Sequence, residues 1–167
     1  MSERLTKEDI RKIEEEITHR KLVVRKEALE AVKEARSHGD LSENFEYHAA
    51  KKDKNANESR IRYLEKLLKT AVVVDTESRE DEVGLDKTIE VYIEEDDCVE
   101  TYRIVTSIRG NSLRGLISIE SPLGRAVMGH KTGDRVFVPI NGDQGYYLVI
   151  RAIRAAQSEE DDVIRRF

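Results

Sequence analysis

The sequence predicts an α+β protein: a long N-terminal antiparallel coiled-coil hairpin, then a small antiparallel sheet with one short helix. Three observations predict it. Apolar residues recur at helical steps over two stretches of about 30 residues within the first 75. Gly39 and its neighbours break that pattern once, near its middle. After residue 82 the apolar period changes from helical to two.

Thr6, followed by Glu8 and Asp9, starts the first helix. Ile10, Ile13, Ile17, Val24, Ala28, Ala31 and Ala35 form its stripe, and Arg20 interrupts the seam. The second helix runs from about Glu43 to Thr70. Tyr47, Ala50, Ile61, Leu64, Leu68 and Ala71 keep the same steps, with Lys54 and Asn57 where apolar residues belong. Two such helices reach roughly 40–45 Å at 1.5 Å per residue. The stripe is weakest near the turn and strongest near the base. Its content for function is reach.

Residues 1–75 are therefore read as the hairpin, with its tip at 36–47. Ala71–Asp75 reads as an exit strand or connector, and the polar run 76–82 as a linker. Residues 83–156 form the sheet domain. Thr88–Ile93 and Val99–Val105 alternate across the acidic turn Glu94–Asp97, and Leu116–Ile119 is a short apolar segment. Ser121–Gly129 has the pattern of a capped short helix ended by glycine. Asn141–Gly145 is the strongest turn, joining Arg135–Ile140 to Tyr146–Ile153 as a hairpin. The tail, 157–167, is acidic and then basic, with the composition of a flexible terminus.

Composition narrows the classes of function. Charged residues make up 38% and aromatic residues 5%, with no Trp. That suits a solvated hairpin and a modest globular domain better than one large core. The single Cys98 excludes an intrachain disulfide framework and fits a reducing, cytoplasmic setting. No apolar run approaches a membrane span, and no signal-peptide core is visible. Residues 1–75 carry 17 Lys and Arg against 16 Asp and Glu; the remainder carries 12 against 18. There is no basic stripe of the kind a duplex binder displays. Contact with nucleic acid is expected to be local and assisted by a partner.

The chemistry concentrates in Arg36–Tyr47. Gly39 ends one helix, Asp40 or Ser42 can cap the next, and Glu43 and Glu46 load its first turn with carboxylates. Asp40 and Glu43 can share one hard cation if a partner completes the shell. Glu46 lies within reach of the same tip. Arg36, Lys51 and Lys52 flank the acids and suit the phosphates of a single strand. Phe45 and Tyr47 flank Glu46 and can stack or wedge, although Tyr47 also falls on the seam. His38 stands alone in the turn. Farther on, Val127-Met128 beside Arg125 is a possible docking surface.

The run Gly-Asp-Leu-Ser-Glu-Asn-Phe-Glu-Tyr-His-Ala-Ala-Lys at 39–51 resembles the tip signature of the bacterial Gre transcript cleavage factors, in particular their GreA branch. Ser121-Pro122-Leu123-Gly124-Arg125-Ala126 and Gly133-Asp134 resemble that family's C-terminal segment. The resemblance covers about residues 5–153. It implies a C-terminal domain with the fold of FK506-binding prolyl isomerases, docked on bacterial RNA polymerase through Ser121, Pro122, Leu123, Gly124, Arg125 and Met128. It implies that the hairpin passes down the polymerase secondary channel. There Asp40 and Glu43 would help hold a shared Mg²⁺, and the RNA 3′ end of a backtracked complex would be cleaved. Arg36, Lys51 and Lys52 would contact that RNA, with Asn44, Phe45, Glu46 and Tyr47 supporting the tip. On this reading the protein, expected to be a monomer, is not an enzyme alone but completes its partner's active centre. Phe45, where the family has a small residue, and the run Lys52–Glu58 depart from the pattern. The rival expectations are a non-cleaving channel-binding inhibitor and a free-standing prolyl isomerase or chaperone. Against the last, residues 76–167 hold only Phe137 and Phe167 and no Trp, a thin supply for an aromatic-lined pocket.

Overall fold

The computed structural model describes residues 2–39, 43–155 and 164. The chain divides into two compact units, Met1–Val72 and Val73–Phe167. Asp40, Leu41 and Ser42 lie outside the described residues, as does the tail apart from Ile164, which is buried.

The first unit is the helical hairpin. Helix α1 (Lys7–His19) opens with a capping box. The Thr6 hydroxyl accepts from the Asp9 amide at 3.1 Å, and the Asp9 carboxylate accepts from the Thr6 amide at 3.0 Å. Two orphan donors are thereby satisfied inside a buried corner. A π turn (Arg20–Val24) follows, then α2 (Arg25–Arg36). Gly39, at φ 116°, ends the run where a side chain would be strained. Helix α3 (Phe45–Thr70) returns. At the base, β1 (Arg4–Leu5) pairs with β2 (Val72–Val73), and the Val72 amide donates to the Glu3 carbonyl at 2.8 Å.

The seam differs from the expected stripe in ways that matter. Leu5, Ile13, Ile61, Leu64 and Leu67 are buried at the base, so Leu67 is sealed more deeply than the expected Leu68. Beyond the π turn the buried residues are Val32 and Ala35, while the expected Ala31 is exposed. Between these regions lies a polar layer. Glu16 accepts from Arg20 Nε and from Arg60 Nε, both at 2.9 Å. Arg20 Nη1 donates to the Asn57 side-chain oxygen at 3.1 Å. Arg60 and Asn57 are buried although polar, because each is paired across the seam. Toward the tip, Arg25 grips Glu58 with two hydrogen bonds at 2.7 and 3.0 Å.

The second unit is a five-stranded sheet ordered β5-β4-β3-β7-β6. Its strands are β3 (Thr88–Ile93), β4 (Cys98–Val105), β5 (Leu116–Ser118), β6 (Arg135–Asn141) and β7 (Gln144–Arg154). The β6–β7 turn falls at the expected Asn141–Gly145. The sheet is not wholly antiparallel, however. β5 runs parallel to β4, with Ile104 opposite Ile117. Two 3₁₀ turns, Ser107–Arg109 and Ser112–Arg114, and a left-handed Gly115 carry the chain back to the same end before it pairs. Helix α4 (Pro122–Val127) is capped by Ser121, whose hydroxyl accepts from the Gly124 amide at 3.1 Å. The core gathers Val83, Leu85, Ile89, Val91, Ile104, Val127, Val136, Leu148 and Ile150. Asp86 is held inside by Arg109 Nη1 at 2.6 Å, with Arg103 at 3.6 Å.

Burial pushes the Glu16 carboxyl up, and the Arg60 and Arg20 guanidiniums pull it down; the guanidiniums win, and the group titrates below the ordinary carboxyl range. Its folded value lies below its unfolded one, so its ion pairs stabilise the hairpin above the unfolded value near pH ~4.3, and acid removes that stability as pH falls through the folded value. Glu16→Gln should therefore melt below wild type near neutral pH, by the helical circular dichroism signal. The gap should narrow once the pH drops below about 4.

Candidate functional site

The tip is built by one side chain. Helix α3 takes its N-cap from Asn44, not from the expected Asp40 or Ser42, and begins at Phe45. Asn44 accepts from the Tyr47 amide at 3.0 Å and donates its own amide to the Ala35 carbonyl at 2.7 Å. One residue thus caps the start of α3 and ties it to the end of α2. Sequence alone could not choose among three good cap residues within five positions.

That choice sorts the acids. Glu43 stands exposed immediately before the cap, outside the helix, where the helix N-terminus favours a carboxylate. Glu46 lies in the first turn, and its carboxylate meets His38 Nδ1 at 2.9 Å across the hairpin end. His38, expected to stand alone, is a brace for Glu46. Asp40 lies outside the described residues. Among the described residues no three His, Cys, Asp or Glu side chains cluster as a metal site would require.

The basic residues separate as well. Arg36 sits 5.5 Å above the Tyr47 ring and hydrogen-bonds its hydroxyl. That hydrogen bond, aided by the charges of Lys51 and Lys54, holds the phenol below its ordinary range. Arg36, Tyr47, Lys51 and Lys54 are therefore one electrostatic group, and Lys54 joins it unpredicted. Lys52 is exposed, about 100° around the helix from Lys51. Phe45 is 87% exposed, an apolar ring at the start of α3. Tyr47 is half-buried, as its place on the seam predicts.

The expected docking segment faces two ways. Val127 is fully buried and Leu123 packs against the core. Gly124 is buried, and a Cβ there would lie 2.0 Å from the Ser118 carbonyl oxygen, so the position requires glycine. These three face inward and leave Pro122, Arg125 and Met128 on the surface, with Ser121 spent on the helix cap. Pro122 and Arg125 line a cavity of about 390 Å³ with Glu120, Ala126 and the β6 residues Pro139 and Ile140. Arg125 Nη2 bonds Glu120 at 3.1 Å on its rim. Ile140, 65% exposed, is a part of this surface that sequence reading missed. It lies 14 or more residues from the motif, and a strand-end isoleucine carries no signal of its own.

Comparison with known proteins gives this architecture its family. A model described as transcription elongation factor, N-terminal, matches residues 3–73, and one described as transcription elongation factor, GreA/GreB, C-term, matches 78–154. Transcription elongation factor GreA of Lachnoclostridium phytofermentans is 41% identical over 147 residues, covering 87% of this chain and 92% of the relative. The GreA of Thermoanaerobacter pseudethanolicus is 43% identical over 137 residues, covering 81% and 87%. Among solved structures, GreA factor homolog 1 (Gfh1) of Thermus thermophilus aligns at 25% identity over 93% of this chain and 100% of its own, with a TM-score of 0.43. The chain belongs to the GreA/GreB family of transcription elongation factors.

Replacing Asn44 with Ala should cost about 0.5–2 kcal/mol, the usual loss of an N-cap. Hydrogen exchange should show the loss concentrated in the amides of Phe45–Tyr47 and at the end of α2, with the base of the hairpin unchanged.

Proposed function

We propose that this protein is a transcript cleavage factor that acts on bacterial RNA polymerase arrested in a backtracked state. The observation that carries the proposal is the tip. An exposed Glu43 is set by Asn44 at the end of a two-helix arm, three residues from Asp40 in sequence, while Glu46 is engaged by His38. In this reading the arm enters the polymerase secondary channel and the tip reaches the active centre.

Asp40 and Glu43 would hold a Mg²⁺ shared with the polymerase. Carboxylate oxygens are the donors this cation prefers, and a set of two suits a site that a partner completes. A bound Mg²⁺ there supplies charge stabilisation for the attacking and leaving oxygens of phosphodiester hydrolysis. The chain's own residues do the rest of the positioning. Asn44 fixes the start of α3 against the end of α2. His38 keeps Glu46 from competing for the cation. Arg36, held by Tyr47, and Lys51 present positive charge to the phosphates of the extruded RNA, with Lys52 on the adjoining face. The protein is not a nuclease by itself; the polymerase supplies the substrate and the remaining ligands.

The C-terminal unit would dock on the polymerase by Pro122, Arg125, Met128 and Ile140. Its sheet, with α4 on the core side, supports the FK506-binding-protein-like reading of this domain. Among the described residues no helix is long and apolar enough to cross a membrane.

Asp40→Ala combined with Glu43→Ala should abolish stimulated RNA cleavage in a backtracked complex and leave polymerase affinity within about twofold. Cleavage that persists in this variant contradicts the carboxylate assignment.

A further inference from the structure

Continued by exact heptads, as a supercoiled pair keeps its seam, the stripe of Ile10, Ile13 and Ile17 next falls at Arg20, Val24, Glu27, Ala31 and Glu34. The residues that meet α3 are instead Ala28, half-buried, then Val32 and Ala35, both buried. Every one of the three lies one residue later than the exact heptads place it. The π turn at Arg20–Val24 takes up that residue, since a π turn is one extra residue in an α-helix. Without it, an exact heptad seam would bring Glu27 and Glu34 to face α3 and turn Val32 away.

The π turn is held from the opposite helix. The Arg25 amide donates to the Arg20 carbonyl, five residues back. The Asn57 side-chain amide also donates to that carbonyl, at 3.4 Å, while its oxygen accepts from the Arg20 guanidinium at 3.1 Å. Glu16 binds Arg20 one turn before and Arg60 across the seam. Arg25 grips Glu58 and Lys21 pairs with Glu65 at 2.5 Å, so both ends of the π turn are clamped to α3. The unusual hydrogen-bond register and the polar layer occupy the same place.

We propose that the layer of Glu16, Arg20, Asn57 and Arg60 is a phase lock. It holds the π turn and thereby sets which face of α2 meets α3, and so the direction in which the tip residues point. Arg20 and Asn57 are positioning residues for the tip, acting from 10 or more positions away in sequence. A polar seam position that fixes geometry at a cost in stability has precedent in coiled coils. The consequence for cleavage rests on the function proposed above; the lock itself does not.

The test uses the full chain with Cys98→Ser and spin labels on exposed sites. One pair, Glu27 and Asp53, lies beyond the layer; another, Glu14 and Lys66, lies before it. In Arg20→Leu with Asn57→Leu, the π turn is released into a continuous helix. The outer distance should shift by about 5 Å or split into two populations, because one residue is about 100° of rotation. The inner distance should stay. Deleting Val23 from that variant should restore the outer distance, since the extra residue is gone, and stimulated cleavage should return with it. An outer distance unmoved by the Leu pair, or not restored by the deletion, overturns the proposal. If the Leu pair fails to fold, the Val23 deletion alone decides. A clean excision of the extra residue keeps Val32 and Ala35 on the seam, so both distances and the helical melt should be retained; their loss overturns the proposal. Distances that behave as stated without recovery of cleavage would count against the proposed function and not against the lock.

Discussion

Two long helices can hold each other only through one narrow stripe, and the N-terminal unit depends on how that stripe is kept facing inward. An α-helix drifts against a seven-residue repeat, so the stripe leaves the seam unless the helices supercoil or the register is reset. This chain resets it once, at Arg20–Val24. On the base side, large aliphatic residues fill the seam: Leu5, Ile13, Ile61, Leu64 and Leu67. On the tip side, among the described residues, only Val32 and Ala35 are buried. The base supplies most of the apolar stabilisation. The outer half is held by ion pairs, by the Asn44 staple and by the phase inherited from the layer between.

That division suits a tip that must carry charge. Apolar residues large enough to fix the outer half would crowd the end where Glu43, Arg36 and Lys51 stand in solvent. Small seam residues keep the arm slim and leave geometry to hydrogen bonds. Asn44 ties the two helices where the chain turns. His38 and Glu46 pair beside it, and Arg36 lies over Tyr47. Each of these contacts crosses from one helix or its end to the other, so the tip is built as one unit from short-range contacts.

Much of this was legible in the sequence, where a single strong signal decided. Thr6 with Asp9 marks a helix start, Gly39 a helix end, and Asn141–Gly145 a hairpin, because each has few competing solutions. The two-residue strands β1 and β2 were not legible as a pair, since their length carries no period. Nor was the direction of β5: a strand of three residues looks alike parallel or antiparallel. Arg20 and Asn57 read as blemishes on the stripe, and only their meeting across the seam shows them as partners. At the tip, Asp40, Ser42 and Asn44 are equally good caps by type, and tertiary contact with Ala35 favours the last. In the C-terminal unit the motif at 121–126 was visible, but its inward and outward faces were not, because six residues give too little period to tell Val127 from Met128.

The central claim is that the tip lends carboxylates to a partner's metal site. The most direct measurement is RNA cleavage in a deliberately backtracked polymerase complex, with and without this protein, across a Mg²⁺ titration. The account predicts that the protein accelerates cleavage and lowers the Mg²⁺ concentration needed for half-maximal rate. Binding to the complex with cleavage unchanged or slowed at every Mg²⁺ concentration would contradict it.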